Sequence, residues 1–290
     1  MPLEWRHILD AHDSQLDELA ARYHLHPLHV EDCRHGNQNA KIEFHDDYVF
    51  VVLKPVWMDD EGVIHPSDFD LFIGPGWVIT VEEETCAPLH EVLKSLRDNQ
   101  NKLTSDQLFY RIFDNVVDLY HPVTDRLSER IDQLEEQALE KPQAATIEQL
   151  FTLRRALIGM RRILANSRDL LSHLLRTEHH ALPKEMMPFW RDVYDHVTRS
   201  LDTIEILRDL VSGATELYLS SVANQTNQVM KVLTVFGTVA TPAIIITGIY
   251  GMNVEHLPFS ESPHSWAIII ALIAVVSGAT LLLFRRMRWL

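Results

Sequence analysis

Two stretches that contain no Asp, Glu, Lys or Arg lie near the C-terminus, at residues 232–250 and 266–284. Each has about the 20 residues with which an α-helix crosses the hydrocarbon core of a bilayer. The core helix of a soluble protein is the alternative, but two adjacent runs of this length fit a soluble domain poorly. The sequence therefore predicts two membrane-spanning helices joined by a loop at 251–265.

The basic residues beside these stretches predict how the helices are oriented. Lys231 precedes the first stretch, the tail 285–290 contains three arginines, and the loop 251–265 contains neither Lys nor Arg. Short segments rich in Lys and Arg stay in the cytosol. We therefore expect a multi-pass protein of the cell's inner (plasma) membrane, with both termini and the basic tail in the cytosol and the loop outside. No apolar run follows a basic start at the N-terminus, so no signal peptide is expected.

Residues 1–104 have the pattern of a cytosolic α/β domain. Helical spacing of apolar residues appears once, and three runs of β-branched and aromatic residues are typical of strands. A Gly74-Pro75-Gly76 turn between the last two runs predicts a β-hairpin. The predicted helix lies at 14–23, a second short helix follows the turn at 26–32, and the strands lie at 48–53, 68–73 and 77–81.

Residues 105–187 predict a cytosolic helical hairpin. Its helices, at 108–139 and 145–176, are separated by Lys141-Pro142, which cannot continue a helix. Pro122 is expected to kink the first helix. Both helices carry many charged residues, which is typical of a solvated antiparallel pair.

A single helix is predicted over residues 188–250. As far as Pro242, only Gly213 and Gly237 interrupt its pattern, and glycine costs about 1 kcal/mol inside a helix. About 60 residues at roughly 1.5 Å each give a helix of about 90 Å, which a soluble domain of this size has no room for. We expect a stalk that continues into the first membrane span, at about 232–250.

Composition excludes some classes of function. The formal net charge of -15 argues against binding nucleic acid; it is compatible with attracting cations, although it also serves solubility. Cys33 and Cys86 match no zinc or redox spacing, so two reduced thiols are expected. The chain has no phosphate-binding glycine loop, nucleophile elbow or ligand-spaced histidine pair, so we expect no enzyme and no cofactor. A membrane-anchored scaffold without transport activity is the alternative class.

A stripe of mostly small or polar residues runs along the first membrane span and the helix before it. Such a stripe in a bilayer should face other helices or water. Two helices cannot enclose an aqueous path, so conduction would require a ring of several copies. The stripe consists of Asn227, Met230, Thr234, Gly237, Thr241, Ile244 and Gly248.

Tyr250-Gly251-Met252-Asn253 lies between the two predicted spans. With this position it resembles the signature of the CorA family of magnesium and cobalt channels, the two-transmembrane family with a Gly-Met-Asn motif. Residues 26–32, 41–48, 189–196 and 218–234 are also similar to that family. The resemblance implies an α+β cytosolic domain joined by a long stalk helix to two C-terminal transmembrane helices. It also implies a funnel-shaped homopentamer.

The resemblance assigns roles along the ion path. Gly251, Met252 and Asn253 would form the selectivity filter, in which five Asn253 carboxamides bind a hydrated cation. Glu216 would lie at the cytosolic entrance. The implied pore-lining residues are Asn227, Met230, Leu233, Gly237, Thr241, Ile244 and Gly248. Periodicity prefers Thr234 at the position where the family prefers Leu233, and both alternatives stay open.

Two departures from the family pattern occur in the first span. Thr241 stands where an apolar residue is expected, and Ile244 where a hydroxyl is expected. A shifted constriction or a different selectivity is the expected consequence.

A regulatory site is also implied. Asp192 matches an acidic position at which the family binds Mg²⁺ between neighbouring cytosolic domains, and bound ions hold the ring closed. Glu84 and Glu91 are the candidates for the second carboxylate. Glu82-Glu83-Glu84 is otherwise expected to be a solvated strand edge.

The predicted function is uptake of Mg²⁺, and of Co²⁺, driven by the membrane potential and gated by intracellular Mg²⁺. Mg²⁺ is thus expected as the transported and the regulatory ion. The alternative is a transporter of zinc or another transition metal, such as Ni²⁺, from the same superfamily. Zinc-exporting relatives typically keep the Gly and Asn of the motif but follow them with a Val-Gly-Gly type of turn. This chain has Val254-Glu255-His256 instead, which favours Mg²⁺ and Co²⁺.

Overall fold

The computed structural model describes residues 3–36, 38–82, 86–252, 257–259 and 262–286. The chain forms two compact units, Met1–Leu217 and Tyr218–Leu290.

The first unit combines seven strands with the helices that pack on them. The strands are β1 (Glu4–Ile8), β2 (Lys41–Phe44), β3 (Val49–Leu53), β4 (Val56–Met58), β5 (Ile64–Pro66), β6 (Phe69–Gly74) and β7 (Trp77–Glu82). The helices are α1 (Ser14–Tyr23), α2 (Pro27–His35), α3 (Ala87–Asp98), α4 (Ser105–Asp118), α5 (Tyr120–Glu140), α6 (Ala144–Arg176) and the first part of α7 (Met187–Tyr250).

Five strands form one sheet in the order β1-β7-β6-β3-β2, and β4 pairs with β5 in a separate ribbon. β1 and β7 are parallel, while the other pairs are antiparallel. The predicted hairpin is confirmed as β6 and β7, with Pro75-Gly76 between them. Gly76 has a φ of 82°, which a side chain rarely allows.

Helices cover both faces of the sheet. Side chains of β3 alternate between the faces, because successive residues of a strand point in opposite directions. Phe50 and Val52 pack with α1 and α2, whereas Val49, Val51 and Leu53 belong to the larger core that includes α3 to α7. β3 is therefore buried throughout, which accounts for its uninterrupted apolar sequence.

The predicted single helix at 108–139 is wrong. The structure has two helices, α4 and α5, which meet at Leu119. Pro122 does not kink a helix, because it is the third residue of α5, and the first N–H groups of a helix have no partner within it. α5 and α6 pack against each other across Lys141–Gln143, and the predicted helical pair is confirmed.

α7 is continuous over 64 residues, as predicted, and spans about 96 Å at roughly 1.5 Å per residue. In the second unit it is followed by α8 (Ser265–Arg286). Both helices are long and apolar enough to cross a membrane, and few of their apolar residues are buried. The predicted α/β domain, long helix and two apolar C-terminal helices are thus confirmed.

Both cysteines are free and buried, in agreement with the expected reduced thiols. Cys86 lies just before α3 and Cys33 on α2. Burial raises the pKa of the Cys86 thiol to about 11, and it raises the pKa of the Cys33 thiol by more. Because the thiolate is the reactive form, neither residue is a good target for thiol reagents.

Candidate ion-conduction pathway

The Tyr-Gly-Met motif closes the end of α7. The Gly251 N–H donates to the Thr247 carbonyl at 2.9 Å, which continues the helical pattern by one bond. The Met252 N–H donates to the Ile249 carbonyl at 3.2 Å, a tighter three-residue step that ends the helix. A Cβ at position 251 would lie 3.1 Å from the Thr247 carbonyl oxygen, so glycine allows this close turn. Asn253, the predicted cation-binding residue, lies outside the described residues, as do Glu255 and His256.

Tyr250 connects the end of α7 to the loop before α8. Its hydroxyl donates to the Pro258 carbonyl at 2.8 Å. Phe259, the next residue, has a φ of 66°, in the left-handed region that residues other than glycine seldom adopt. Tyr250 and Phe259 border an apolar cleft of about 350 Å³ with Ile268 and Leu272 of α8. The motif tyrosine therefore holds the loop at the end of the first span.

One face of α7 packs on α8. Val235 is buried, and the Val239 carbonyl accepts a hydrogen bond from Ser277 Oγ at 3.1 Å. Three or four residues further on, Pro242, Ile246 and Tyr250 are partly buried. This spacing defines a single stripe on a helix.

Most residues of the predicted pore stripe point away from the face of α7 that packs on α8. Residues that are two positions apart in an α-helix point in directions about 200° apart around its axis. Five of the predicted pore residues lie two positions from a residue that packs on α8. They are Leu233, Gly237, Thr241, Ile244 and Gly248. All the predicted pore-lining residues are exposed in the single chain: Asn227, Met230, Leu233, Gly237, Thr241, Ile244 and Gly248.

Thr234 and Leu233 are both exposed, so the single chain favours neither as the pore-lining residue. Both border a groove of about 780 Å³ that continues past Gly237 and Thr241 and reaches Thr280 on α8. Small residues at 237 and 241 leave this groove open, because a Cβ at Gly237 would meet no other atom within 4 Å.

Threonine hydroxyls along the first span donate to the carbonyl four residues earlier. Thr234, Thr241 and Thr247 do so at 2.7 Å each. A hydroxyl that has donated its only hydrogen keeps lone pairs that accept. The exposed polar surface of this span is therefore mainly an acceptor surface.

Asp192 lies near the start of α7 and beside acidic residues of α4. Trp190 is fully buried and packs on Phe109 and Phe113, with ring centroids 4.6 and 5.6 Å apart, which fixes this part of α7 against α4. The exposed Asp192 carboxylate lies 3.7 Å from His196 Nε2.

Asp114 and Asp118 are acidic neighbours that the sequence analysis missed. Burial raises the pKa of Asp114, and the negative charges of Asp118 and Asp192 raise it further. Their spacing on α4 was the available signal, because like charges four residues apart repel each other and slightly destabilise a helix. The structure thus places Asp118 and Asp192 close enough to Asp114 for their negative charges to act on its carboxyl group.

The other residues named for these sites are dispersed. Glu216 is exposed on α7, and Glu91 is exposed on α3. Glu84 and Glu83 lie outside the described residues. The prediction of a solvated strand edge at 82–84 is wrong for Glu82, because its side chain is only 1% exposed.

The fold and the site define a membrane protein with a large α/β unit, one very long helix and a second apolar helix after a Tyr-Gly-Met motif. A family model described as CorA-like Mg²⁺ transporter protein matches residues 2–286. The chain belongs to the CorA family, which confirms the resemblance seen in its sequence. This is a family of transporters and not of enzymes.

Individual relatives agree with this assignment. The cobalt/magnesium transport protein CorA of Thermotoga maritima is 34% identical over 291 residues, which cover 99% of this chain and 83% of that protein. Among solved structures, the CorA magnesium transporter of Methanocaldococcus jannaschii matches with a TM-score of 0.86 at 23% identity, over 99% of this chain and 91% of that one. The full-length CmaX protein matches with a TM-score of 0.77 at 22% identity, over 98% and 88% of the two chains.

Proposed function

We propose that this chain forms a homopentameric channel for Mg²⁺, and for Co²⁺, in the cell's inner membrane. The observation that carries the proposal is the pore stripe of α7, which is exposed in the single chain and mostly points away from the face packed on α8. The family to which the chain belongs is one of Mg²⁺ transporters. The relative in Thermotoga maritima bears the name of a cobalt/magnesium transport protein. Five copies of α7 then enclose the path, and α8 separates them from lipid.

The acceptor surface of α7 suits a hydrated ion. Mg²⁺ gives up its water reluctantly, so it passes with water molecules whose hydrogens point outward. Oxygen lone pairs, such as those of Thr241 Oγ1, accept these hydrogens. At the outer mouth, Asn253 carboxamide oxygens act in the same way and carry no full charge that would hold the ion too tightly.

The basic residues support an orientation with both termini in the cytosol and the loop 251–265 outside. An inside-negative potential then drives entry. At about 2.3 kcal/mol per charge per 100 mV, a divalent cation gains roughly 4.6 kcal/mol for each 100 mV. No other energy source is required for uptake.

The function is tested in liposomes containing the purified chain and a trapped Mg²⁺-sensitive dye. A K⁺ gradient with valinomycin sets the potential. We expect Mg²⁺ uptake that rises as the interior becomes negative and stops when the potential is collapsed. Empty liposomes are the control. Zinc entry without Mg²⁺ entry would favour the alternative transition-metal transporter, and no cation entry would favour a scaffold.

Regulation by internal Mg²⁺ is proposed at Asp192. Asp114 supports the proposal, because the charge of Asp192 acts on its carboxyl group and carboxylate oxygens are the ligands that Mg²⁺ prefers. A carboxylate of the next subunit would complete the site, and occupied sites would hold the ring closed.

The Asp192→Asn variant should close only at higher internal Mg²⁺. Loss of about 1.4 kcal/mol of ion binding corresponds to a tenfold change in affinity, so the half-inhibitory Mg²⁺ concentration should rise about tenfold. Dye-reported flux at a series of internal Mg²⁺ concentrations measures it. Asp202→Asn is the matched control, since Asp202 is another exposed acid on α7. Identical inhibition curves for Asp192→Asn and wild type would remove Asp192 from gating.

A further inference from the structure

Three side chains far apart in the sequence converge at the β1 edge of the sheet. Parallel pairing places His7 opposite Thr80, and Glu82 is the last residue of β7. His90 follows in the first turns of α3. One ligand atom from each of His7, Glu82 and His90 lies within 4.8 Å of the other two.

The carboxylate of Glu82 is held in place by the backbone. Its Oε1 accepts the Cys86 N–H at 2.8 Å, immediately before α3. Its Oε2 is buried, has no hydrogen-bond partner among the described atoms, and lies 3.5 Å from His7 Nε2. The side chain is 1% exposed, so one carboxylate oxygen is buried and aimed at the histidine.

The hydrogen bonds of His7 leave its Nε2 free. His7 Nδ1 lies 2.9 Å from Thr80 Oγ1, which also accepts the Trp5 indole N–H at 3.0 Å. The Arg6 carbonyl, 3.4 Å from Thr80 Oγ1, can accept the hydroxyl hydrogen, which leaves Oγ1 free to accept from His7 Nδ1. In that tautomer Nε2 carries a lone pair. An imidazole whose second nitrogen is held by a hydrogen bond is the usual form of a metal-ligating histidine.

The separation between His7 Nε2 and Glu82 Oε2 fits two ligands of a tetrahedral ion better than a hydrogen bond. The separation of 3.5 Å between His7 Nε2 and Glu82 Oε2 is longer than the usual 2.7–3.2 Å or so of an N–H···O bond. Ligands about 2.0–2.1 Å from a tetrahedral zinc ion lie roughly 3.3 Å from one another. The exposed His90 side chain can close the remaining distance by rotation.

We propose that His7, Glu82 and His90 bind a transition-metal ion of the Zn²⁺ class in the α/β unit. Two imidazoles and one carboxylate favour Zn²⁺, Co²⁺ or Ni²⁺ over Mg²⁺, which prefers oxygen ligands. The fourth position is left to water. The ion joins β1, β7 and α3, and it satisfies both buried atoms that otherwise have no partner. This site is separate from the proposed ion path and from Asp192.

The experiment uses the purified full chain, stripped with EDTA and equilibrated with excess Mg²⁺ to fill oxygen-ligand sites. Zn²⁺ binding is then measured by equilibrium dialysis and metal analysis. We expect wild type to bind one more Zn²⁺ per chain than His90→Ala, whose affinity at this site should fall at least tenfold. His90 is exposed, so its replacement leaves the core intact. His12→Ala, which removes another exposed histidine of the same unit, is the matched control and should bind as wild type does.

A second variant, Glu82→Gln, removes the charge but keeps the shape, and it should lose the same Zn²⁺. Equal Zn²⁺ stoichiometry and affinity in wild type and His90→Ala would overturn the proposal and leave an ordinary buried His–Glu contact. Displacement of this Zn²⁺ by an equal concentration of Mg²⁺ would overturn the proposal as well. The result is independent of transport, because no flux is measured.

Discussion

Liposomes that carry the Asn253→Ala variant should take up no Mg²⁺ at a potential that drives rapid uptake by the wild-type chain. The change removes the only side-chain carbonyl oxygen of the Tyr-Gly-Met-Asn motif, five times over in a pentamer. Without that ring of acceptors, a hydrated ion that leaves bulk water finds no hydrogen-bond acceptors at the mouth of the pore. Burying unpaired polar groups costs about 1–3 kcal/mol each, and several water hydrogens lose their partners together.

The fold should be unaffected by this change. Tyr250 holds the loop through the Pro258 carbonyl, and Gly251 and Met252 end α7 through backbone bonds, so none of these contacts requires Asn253. Assembly is checked by size-exclusion chromatography of the detergent-solubilised protein. Gln225→Ala, which removes an exposed carboxamide of α7 that points about 200° away from Asn227, is the matched control and should conduct normally. Uptake at the wild-type rate by an assembled Asn253→Ala channel would eliminate the filter role.

The membrane helices and the β6–β7 hairpin were predictable because their signals are local. Runs without charge set the length of α8, and a Pro-Gly turn between two β-branched runs specifies a hairpin. β1 was missed because it is a short edge strand in which charged residues alternate with Trp5 and Ile8, and its partner lies more than 70 residues away. The break between α4 and α5 was missed because Leu119 continues the apolar spacing across it.

The same distinction applies to the sites. The pore stripe and the motif lie within one continuous helix and its end, so periodicity and position indicate them. The cluster of Asp114 and Asp192 depends on how Trp190 packs α7 on α4, and the His7–Glu82–His90 group depends on the parallel pairing of β1 with β7. Sheet and helix packing of this kind has no fixed spacing in the sequence, and the histidines accordingly looked scattered.

A cysteine at position 244 should make the channel sensitive to a charged thiol reagent. Ile244 lies two positions after Pro242 and two before Ile246, both on the side that packs on α8, so its side chain points about 200° away from them. In the proposed pentamer, this direction is that of the pore axis. Treating Ile244→Cys with a cationic methanethiosulfonate adds up to five positive charges in the path of a divalent cation, which should reduce Mg²⁺ uptake at least tenfold.

The chain supplies two controls for this experiment. Wild type should be unaffected, because Cys33 and Cys86 are 3% and 0% exposed and their pKa values are raised by burial. Val275 on α8 has the same exposure in the single chain as Ile244, 68%. Val275→Cys should nevertheless stay insensitive, because lipid excludes a charged reagent from that helix. Equal block of the two variants would contradict the pore stripe, as would an active Ile244→Cys channel that the reagent leaves unchanged.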